Sequence, residues 1–390
     1  MARTKKKILF INGHLNAGGV ERSLIDVITH MDYDSYDIDL LLLESYGDYI
    51  SEIPEEVNVF LYPVAQASGP FIPSLFKFLI KGNFFLFFMR IIVFMESIFG
   101  EKILVLSRPL FTKVSSSYNT IISYRSDIST AMGAYVFKAK HKISWWHHGE
   151  KNFSGERQMV LSEQYKRMSY IVAVSTFTAN MLRKEFPMIS SKLVVIPNMI
   201  CEDDLKTKAE SPIKIPKTDT FNIVTVGRMS PEKNMMLCIK TALKLKEKHI
   251  HFHWNIIGSG QEFEKVSAQI RQNKLENHIT LIGTLANPYP YIKKAHLLFH
   301  PSLVESQGLT ILEAMALETP VICVKSEGPK EFIQDGINGF FIENDSEVAC
   351  NKIIDVLSAD NSQIIENAKN TIRRYSPSYI TKKIENLINS

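Results

Sequence analysis

Short apolar, β-branched runs alternate with helical-period stretches along most of this chain. Residues 8–11, 40–43, 120–125, 143–146 and 171–175 read as strands in the first half. Residues 221–226, 255–257, 279–284, 297–299 and 321–324 do so in the second. Between them, Leu24, Ile25, Val27 and Ile28 recur at helical spacing, as do 129–136, 177–186 and 309–317. Ser175 or Thr176 suits the N-cap of the 177–186 helix, and Ser230 before Pro231 is another cap-and-N1 pair. Tyr379, Ile380, Ile384, Leu387 and Ile388 predict a terminal amphipathic helix. Strand, turn, helix, strand is the repeat of a parallel α/β sheet, and at 390 residues the chain is long enough for two or three domains.

One stretch departs from this rhythm. Residues 71–111 are dominated by phenylalanine and isoleucine, interrupted by Lys77, Lys81, Arg90, Glu96, Glu101 and Lys102. No uncharged run reaches the ~18 residues of a spanning helix. Asn83, Arg90 and Ser97, seven apart, form a possible polar stripe. Two readings stand: an interfacial helix pair on an anionic bilayer, or a buried helix pair of the first domain.

Composition narrows the class. The chain is 45% hydrophobic and 22% charged, as globular proteins are. A net charge of +4 gives no bulk support for nucleic-acid binding. Cys201, Cys238, Cys323 and Cys350 are widely spaced and form no CxxC pair or Cys/His cluster, so they read as reduced core residues of a cytosolic protein. The opening MARTKKK runs straight into a strand with no long apolar region, so no signal peptide is expected. Asp37-Ile38-Asp39 mimics a DxD metal motif but reads as a strand start.

The candidate chemistry lies in the turns. In 299–324, Glu305 sits in a polar loop with Ser306, Gln307 and Gly308, and Glu313 follows one turn into a helix that begins near Leu309. On one helix the two glutamates would lie ~12 Å apart along the axis and roughly 80° around it, so they do not share one water as an acid/base pair. Separate jobs fit better, with a helix N-terminus suited to phosphate between them. Gly18-Gly19 ends the loop after the first strand, where backbone can approach a ligand. His147-His148-Gly149 follows an apolar strand, placing imidazoles at the mouth of an open sheet. Arg228 and Lys233 can point into one cleft and neutralise a diphosphate without a metal. Gly258-Ser259-Gly260 is a strand-end turn.

Taken in order, these motifs resemble those of the retaining glycosyltransferases of family 4, which have the GT-B fold. Glu305, Gly308, Leu309, Glu313, Ala314-Met315-Ala316 and Pro320-Val321-Ile322 match the family's donor-site signature. The usual Gly-Phe-Gly after the first glutamate is Ser306-Gln307-Gly308 here, which leaves the sugar open. Gly-Gly-Val-Glu-Arg, Val-Ile-Pro-Asn at 195–198, Gly-Arg…Glu-Lys-Asn at 227–234 and Gly-Ser-Gly also fit.

The resemblance implies two Rossmann-like domains facing a cleft: an acceptor-binding domain at 1–200 with 71–111 as a membrane-facing insert, a linker at 201–218, a nucleotide-sugar domain at 219–374, and a helix at 375–390 returning to the first domain. It implies transfer, with retention, of a hexose or N-acetylhexosamine from a UDP-sugar (or GDP-sugar) to a lipid-linked glycan in cell-surface polysaccharide assembly. The enzyme would be metal-independent and peripheral on the cytoplasmic membrane face. Glu305 would hold the donor sugar, Glu313 the ribose, Arg228 and Lys233 the diphosphate, and His148 or His147 the transferring sugar. Gly18, Gly19, Gly258, Gly260, Gln307, Gly308 and Leu309 would shape the donor pocket. A diacylglycerol glycosyltransferase and a UDP-sugar epimerase are the alternatives.

Overall fold

The computed structural model describes residues 5–44, 46–68, 70–115, 117–149, 153, 155–213 and 220–390. Residues 1–4, Glu150 and residues 214–218 of the expected linker lie outside the described residues. The chain divides into two compact units, residues 1–196 with 381–390, and residues 197–380.

The first unit contains β1 (Lys6–Asn12), α1 (Gly19–Thr29), β2 (Tyr36–Leu42), β3 (Asn58–Leu61), α2 (Phe71–Ile80), α3 (Phe84–Phe99), β4 (Tyr118–Ser123), α4 (Ile128–Ala131), β5 (Ala139–Trp146), α5 (Gly155–Lys166), β6 (Tyr170–Ala173), α6 (Thr176–Glu185) and β7 (Leu193–Val195). Its seven strands pair in the order β3-β2-β1-β4-β5-β6-β7, every pairing parallel. Parallel strands need crossovers and are covered on both faces, hence their near-continuous apolar sequences. Order reverses between β1 and β4: the chain builds outward from β1 on one side, then returns and builds outward on the other.

The second unit contains α7 (Glu202–Ala209), β8 (Phe221–Val226), α8 (Met235–Glu247), β9 (Phe252–Ile257), α9 (Phe263–Gln272), β10 (Ile279–Gly283), α10 (Tyr289–Lys293), β11 (Leu297–His300), α11 (Leu309–Ala316), β12 (Val321–Val324), β13 (Phe340–Ile342), α12 (Ser346–Ser358) and α13 (Ser362–Ile372). Its six strands, again all parallel, run β10-β9-β8-β11-β12-β13. The corresponding reversal lies between β8 and β11. The last helix, α14 (Pro377–Asn389), contributes residues 381–390 to the first unit. There Asn389 accepts from Lys6 and donates to Tyr36, and Ser390 donates to Tyr170. Ile380, Ile384, Leu387 and Ile388 are all buried, each a gain of roughly 1.5–3 kcal/mol.

Some expectations need correction. The expected linker at 201–218 begins as a helix instead: Leu205 and Ala209 of α7 enter the second unit's core beside Leu298 and Leu312, because their four-residue spacing makes one apolar face. Ser230 and Pro231 are the expected N-cap and first residue, but of a single turn. Pro231–Lys233 is one 3-10 turn, Asn234 turns left-handed at φ 52°, and α8 follows. Ser175 does cap α6, accepting from Thr178 N–H at 3.1 Å. The predicted stripe of Asn83, Arg90 and Ser97 does not form an exposed face. Asn83 caps α3 through Leu86 N–H, and Arg90 is buried with its guanidinium over the Phe71 ring.

Residues 71–111 are two-sided. Phe78, Leu86, Met89, Ile92, Leu104 and Phe111 pack with Leu9, Leu41 and Ile121 in the first unit's core. The opposite side leaves Ile72, Phe76, Ile80, Phe84, Ile98 and Phe99 more than half exposed. Among the described residues, no helix is long and apolar enough to cross a membrane. The four cysteines are buried and free.

The Asp37-Ile38-Asp39 segment lies in β2, and Asp39 is buried. It accepts from Tyr118 Oη at 2.7 Å and Asn58 Nδ2 at 3.0 Å, bonds that tie β2 to β4 and β3. Removing it strands a buried phenol. Asp39→Ala should therefore lower unfolding free energy by about 1–3 kcal/mol in a urea titration; an unchanged midpoint would contradict this structural role.

Candidate functional site at the strand-order reversal of the second unit

The C-terminal ends of parallel strands share one edge, and the loops on either side of an order reversal splay apart to leave a crevice. In the second unit those are the loops after β8 and β11. The first carries Arg228 and Lys233; the second carries Glu305, Gln307 and Gly308. Two hydrogen bonds brace the loops together: Leu303 N–H donates to Glu232 O at 2.9 Å and the Asn234 side-chain Nδ2 to Pro301 O at 3.2 Å. A third turn supports them. Gly258, at φ +137°, backs onto the Gly227 carbonyl with no room for a side chain, and Met229 N–H donates to Ser259 O at 2.9 Å. A side chain on Gly260 would likewise collide with the Met229 backbone. Gly258 and Gly260 therefore shape the loop that carries Arg228.

Glu305 is the centre of this site. It is buried at 8% exposure, with its Oε1 bonded to Lys233 Nζ and lying 2.8 Å from His300 Nε2. Both partners converge on one oxygen; Oε2 makes no hydrogen bond among the described residues. Burial pushes the carboxyl up, but the Lys233 ammonium and the His300 bond outweigh it and hold Glu305 well below the ordinary carboxylate range. Lys233 is thus engaged with a carboxylate. Arg228 is exposed and makes no hydrogen bond or ion pair among the described residues.

Glu313 lies in α11 and is buried, accepting from Tyr289 Oη at 3.2 Å. Gln307 is also buried. Its carboxamide accepts from Asn198 N–H at 2.9 Å, so the side chain anchors the segment entering this unit. Gly308 adopts φ +89° as the N-cap of α11, a conformation that favours glycine, with no side-chain cap. Leu309 begins α11 and packs against the core.

The remaining predicted residues belong to the first unit. Gly18 is the N-cap of α1 and Gly19 its first residue. His147 and His148 follow β5. The His147 ring lies 4.8 Å from Tyr124 and parallel to Trp145 at 6.2 Å, and is nearly buried. His148 is half-buried, its ring edge-on to Trp146. Aromatic packing holds His147, so His148 is the more accessible of the two.

His300 and Tyr289 were not foreseen as site residues. His300 reads in sequence only as the end of a strand. Its five-residue separation from Glu305 carries no signal until the loop folds back.

Comparisons with known proteins bear on the fold and the class. Residues 207–371, which include Arg228, Lys233, Glu305 and Glu313, match the family described as Glycosyl transferases group 1. The chain is similar to the poly(ribitol-phosphate) alpha-N-acetylglucosaminyltransferase of Staphylococcus aureus, 32% identical over 172 residues, 42% of this chain and 34% of that protein. It is also similar to the N-acetylgalactosamine-N,N'-diacetylbacillosaminyl-diphospho-undecaprenol 4-alpha-N-acetylgalactosaminyltransferase of Campylobacter jejuni, 27% identical over 191 residues, 49% of this chain and 51% of that protein. The chain thus spans about half or less of the length of these two curated relatives. Among solved structures, Anabaena HepE in complex with UDP and glucose superposes with a TM-score of 0.74 at 19% identity, covering 99% of this chain and all of that one. The fold is GT-B, with two Rossmann-like domains, as the sequence motifs imply.

The ion cluster has a pH signature. Because Glu305 is held below its unfolded value of about 4.3, the stability it confers is present above that value and lost as pH falls. Glu305→Gln should cost about 1–3 kcal/mol at pH 7, and the gap from wild type should close as pH falls below ~5. Urea unfolding at a series of pH values measures it. A gap that does not vary with pH would show that the ion cluster does not stabilise the fold.

Proposed function

We propose that this chain is a retaining glycosyltransferase. It moves a hexose or N-acetylhexosamine from a UDP-sugar (or GDP-sugar) to a lipid-linked glycan during assembly of a cell-surface polysaccharide. The observation that carries the reading is the Arg228–Lys233–Glu305 arrangement at the strand-order reversal, inside the region that matches Glycosyl transferases group 1. Each group has a role there. Arg228 is uncommitted and exposed, suited to a diphosphate. Lys233 holds Glu305 and adds a second positive charge. Glu305 keeps Oε2 for a hydroxyl of the donor sugar, and Glu313, buried beside Tyr289, suits a ribose diol. The N-terminus of α11, capped by glycine, adds backbone donors suited to phosphate.

In this reading the donor breaks at its anomeric C–O bond. The departing phosphate oxygen takes the proton of the acceptor hydroxyl, which attacks from the same face. The cations stabilise the separating charge in place of a metal. The role beside the transferring sugar is assigned to His148, or to His147 in its place. Two relatives are named for α-linked products, and a UDP-sugar with an α-linked leaving group yields an α-product by retention.

The acceptor reading rests on residues 71–111 and on the undecaprenol-linked glycan in the name of the Campylobacter relative. Exposed Ile72, Phe76, Ile80, Phe84, Ile98 and Phe99, with exposed Lys77, Lys81 and Lys102, suit a shallow seat on the anionic cytoplasmic face of a membrane.

Release of UDP or GDP from a panel of nucleotide sugars, with and without bacterial lipid extract and in EDTA, tests the whole reading. Lipid-dependent release from one donor is expected to survive EDTA. Glycosylation of diacylglycerol alone would move the acceptor assignment, and interconversion of a UDP-sugar without transfer would point to an epimerase. Arg228→Ala should lower kcat/KM for the donor by about 10²–10³; full activity would remove it from the diphosphate site. Ile80→Asp with Phe84→Asp should abolish sedimentation with phosphatidylglycerol vesicles while leaving the melting temperature within a few degrees. Equal sedimentation would sink the membrane seat.

A further inference from the structure

Glu305 is held twice, and its two holders are unlike. The Lys233 ammonium reaches Oε1 from the single turn Pro231–Lys233. The His300 ring reaches the same oxygen at 2.8 Å from the last residue of β11. Lys233 stands on a flexible aliphatic stem with its side chain 25% exposed, whereas the His300 side chain is 5% exposed. The backbone of His300 is fixed too, because it pairs with Cys323 of β12 in the sheet. One partner has room to swing toward solvent; the other is packed at the end of a central strand.

The proton positions follow from the acceptor. Glu305 is held well below the ordinary carboxylate range, so it is ionised and only accepts. His300 therefore donates from Nε2. Its Nδ1 is buried and has no hydrogen-bond partner among the described residues. A proton there would be a buried donor without an acceptor, so the tautomer with its one proton on Nε2 fits the site.

Two donors on one oxygen exceed what orienting a carboxylate requires. The excess has a use where a diphosphate binds. An ammonium is a mobile point charge with several donors, able to turn from a carboxylate to a phosphate. His300 offers a ligand almost no surface. With Lys233 turned away, a lone Glu305 would keep a buried charge and no bond to set its rotamer. The His300 bond supplies that hold, and it leaves Oε2 free.

We propose that His300 is a positioning residue: it alone holds Oε1 of Glu305 while Lys233 exchanges from that oxygen to the donor diphosphate, so that Oε2 stays aimed at the donor sugar. The exchange rests on the transferase reading of this site; the His300–Glu305 bond does not. Removing either partner of Glu305 then has a different effect.

Two measurements on the full chain test this. The first follows the imidazole nitrogens of isotope-labelled histidine by NMR while UDP, and GDP in parallel, is titrated in. Of the 11 histidines, His300 is the one whose signals vanish in His300→Gln. Its Nε2 should stay protonated and hydrogen-bonded at saturating nucleotide, and should shift in Glu305→Gln. Loss of that bond on adding nucleotide, or no response to Glu305→Gln, would overturn the proposal. The second measurement is turnover of the sugar donor that the nucleotide-sugar panel identifies. His300→Leu should lower kcat about tenfold or more while affinity for the nucleotide stays within about twofold, because sugar orientation is lost and diphosphate binding is not. His300→Gln, whose carboxamide nitrogen reaches about as far as Nε2, should recover most of that loss. Lys233→Met should instead weaken the nucleotide about tenfold. Unchanged kcat in His300→Leu, nucleotide binding lost in step with kcat, no recovery in His300→Gln, or unchanged nucleotide affinity in Lys233→Met would each count against it. Should His300→Leu not fold, the NMR arm on wild type and Glu305→Gln decides. Failure of the transferase reading looks different: wild type binds neither nucleotide and turns over no donor, while the His300 Nε2 signal still responds to Glu305→Gln. The exchange then falls with that reading, and the His300–Glu305 bond stands.

Discussion

Uniform parallel pairing is the constraint on which this protein depends. A parallel strand cannot return through a hairpin, so every strand is followed by a crossover, and all C-terminal strand ends gather on one edge of the sheet. In both units the chain starts at an inner strand, builds outward, and then returns to the other side of that strand. The reversal parts the loops there. Both polar clusters lie at such a point: Lys233, His300 and Glu305 between β8 and β11, and His14, Glu21, Arg125 and Asp127 between β1 and β4.

The two clusters differ in burial, and the difference follows from their neighbours. In the second unit, one buried carboxylate oxygen is shared by an ammonium and an imidazole. Burying such a charge is tolerable because its partners are bonded to it and held by braced backbone. In the first unit one guanidinium serves two carboxylates and stays partly open to water.

Residues 71–111 carry a different message. Ordinary packing accounts for one side, where Phe78, Met89 and Phe111 complete the core above β1 and β4. It does not account for Ile80 or Phe84, whose side chains have no core to enter. Arg90, which could have made this side polar, is turned inward over Phe71. An apolar outer face flanked by lysines stabilises nothing within the folded chain, and faces of this kind on other proteins mark contact with something apolar outside them.

Much of the fold was legible in the sequence, because hydrophobic period and turn chemistry are local. The runs at 8–11, 221–226 and 321–324 are strands for the reason expected, and α11 and α14 fall where their spacing puts them. The motif order along the chain pointed to GT-B, and Arg228, Lys233 and Glu305 were legible as candidates by residue type and spacing from neighbouring glycines. Where the reading failed, distant contacts decided. The segment after Cys201 is polar enough to read as a linker, yet two side chains one turn apart find a core and make it a helix. Arg90 is exposed by its period and buried by the Phe71 ring. The sequence alone determined the elements, their parallel arrangement and the chemical groups in the turns. Only the tertiary structure decided that Lys233 and His300 share one oxygen of Glu305, and that Arg125 reaches Glu21. Lys233 and Arg125 lie 72 and 104 residues from their partners, so those pairings depend on which strands become neighbours, and His300, only 5 residues from Glu305, meets it because the loop folds back; no local pattern encodes either.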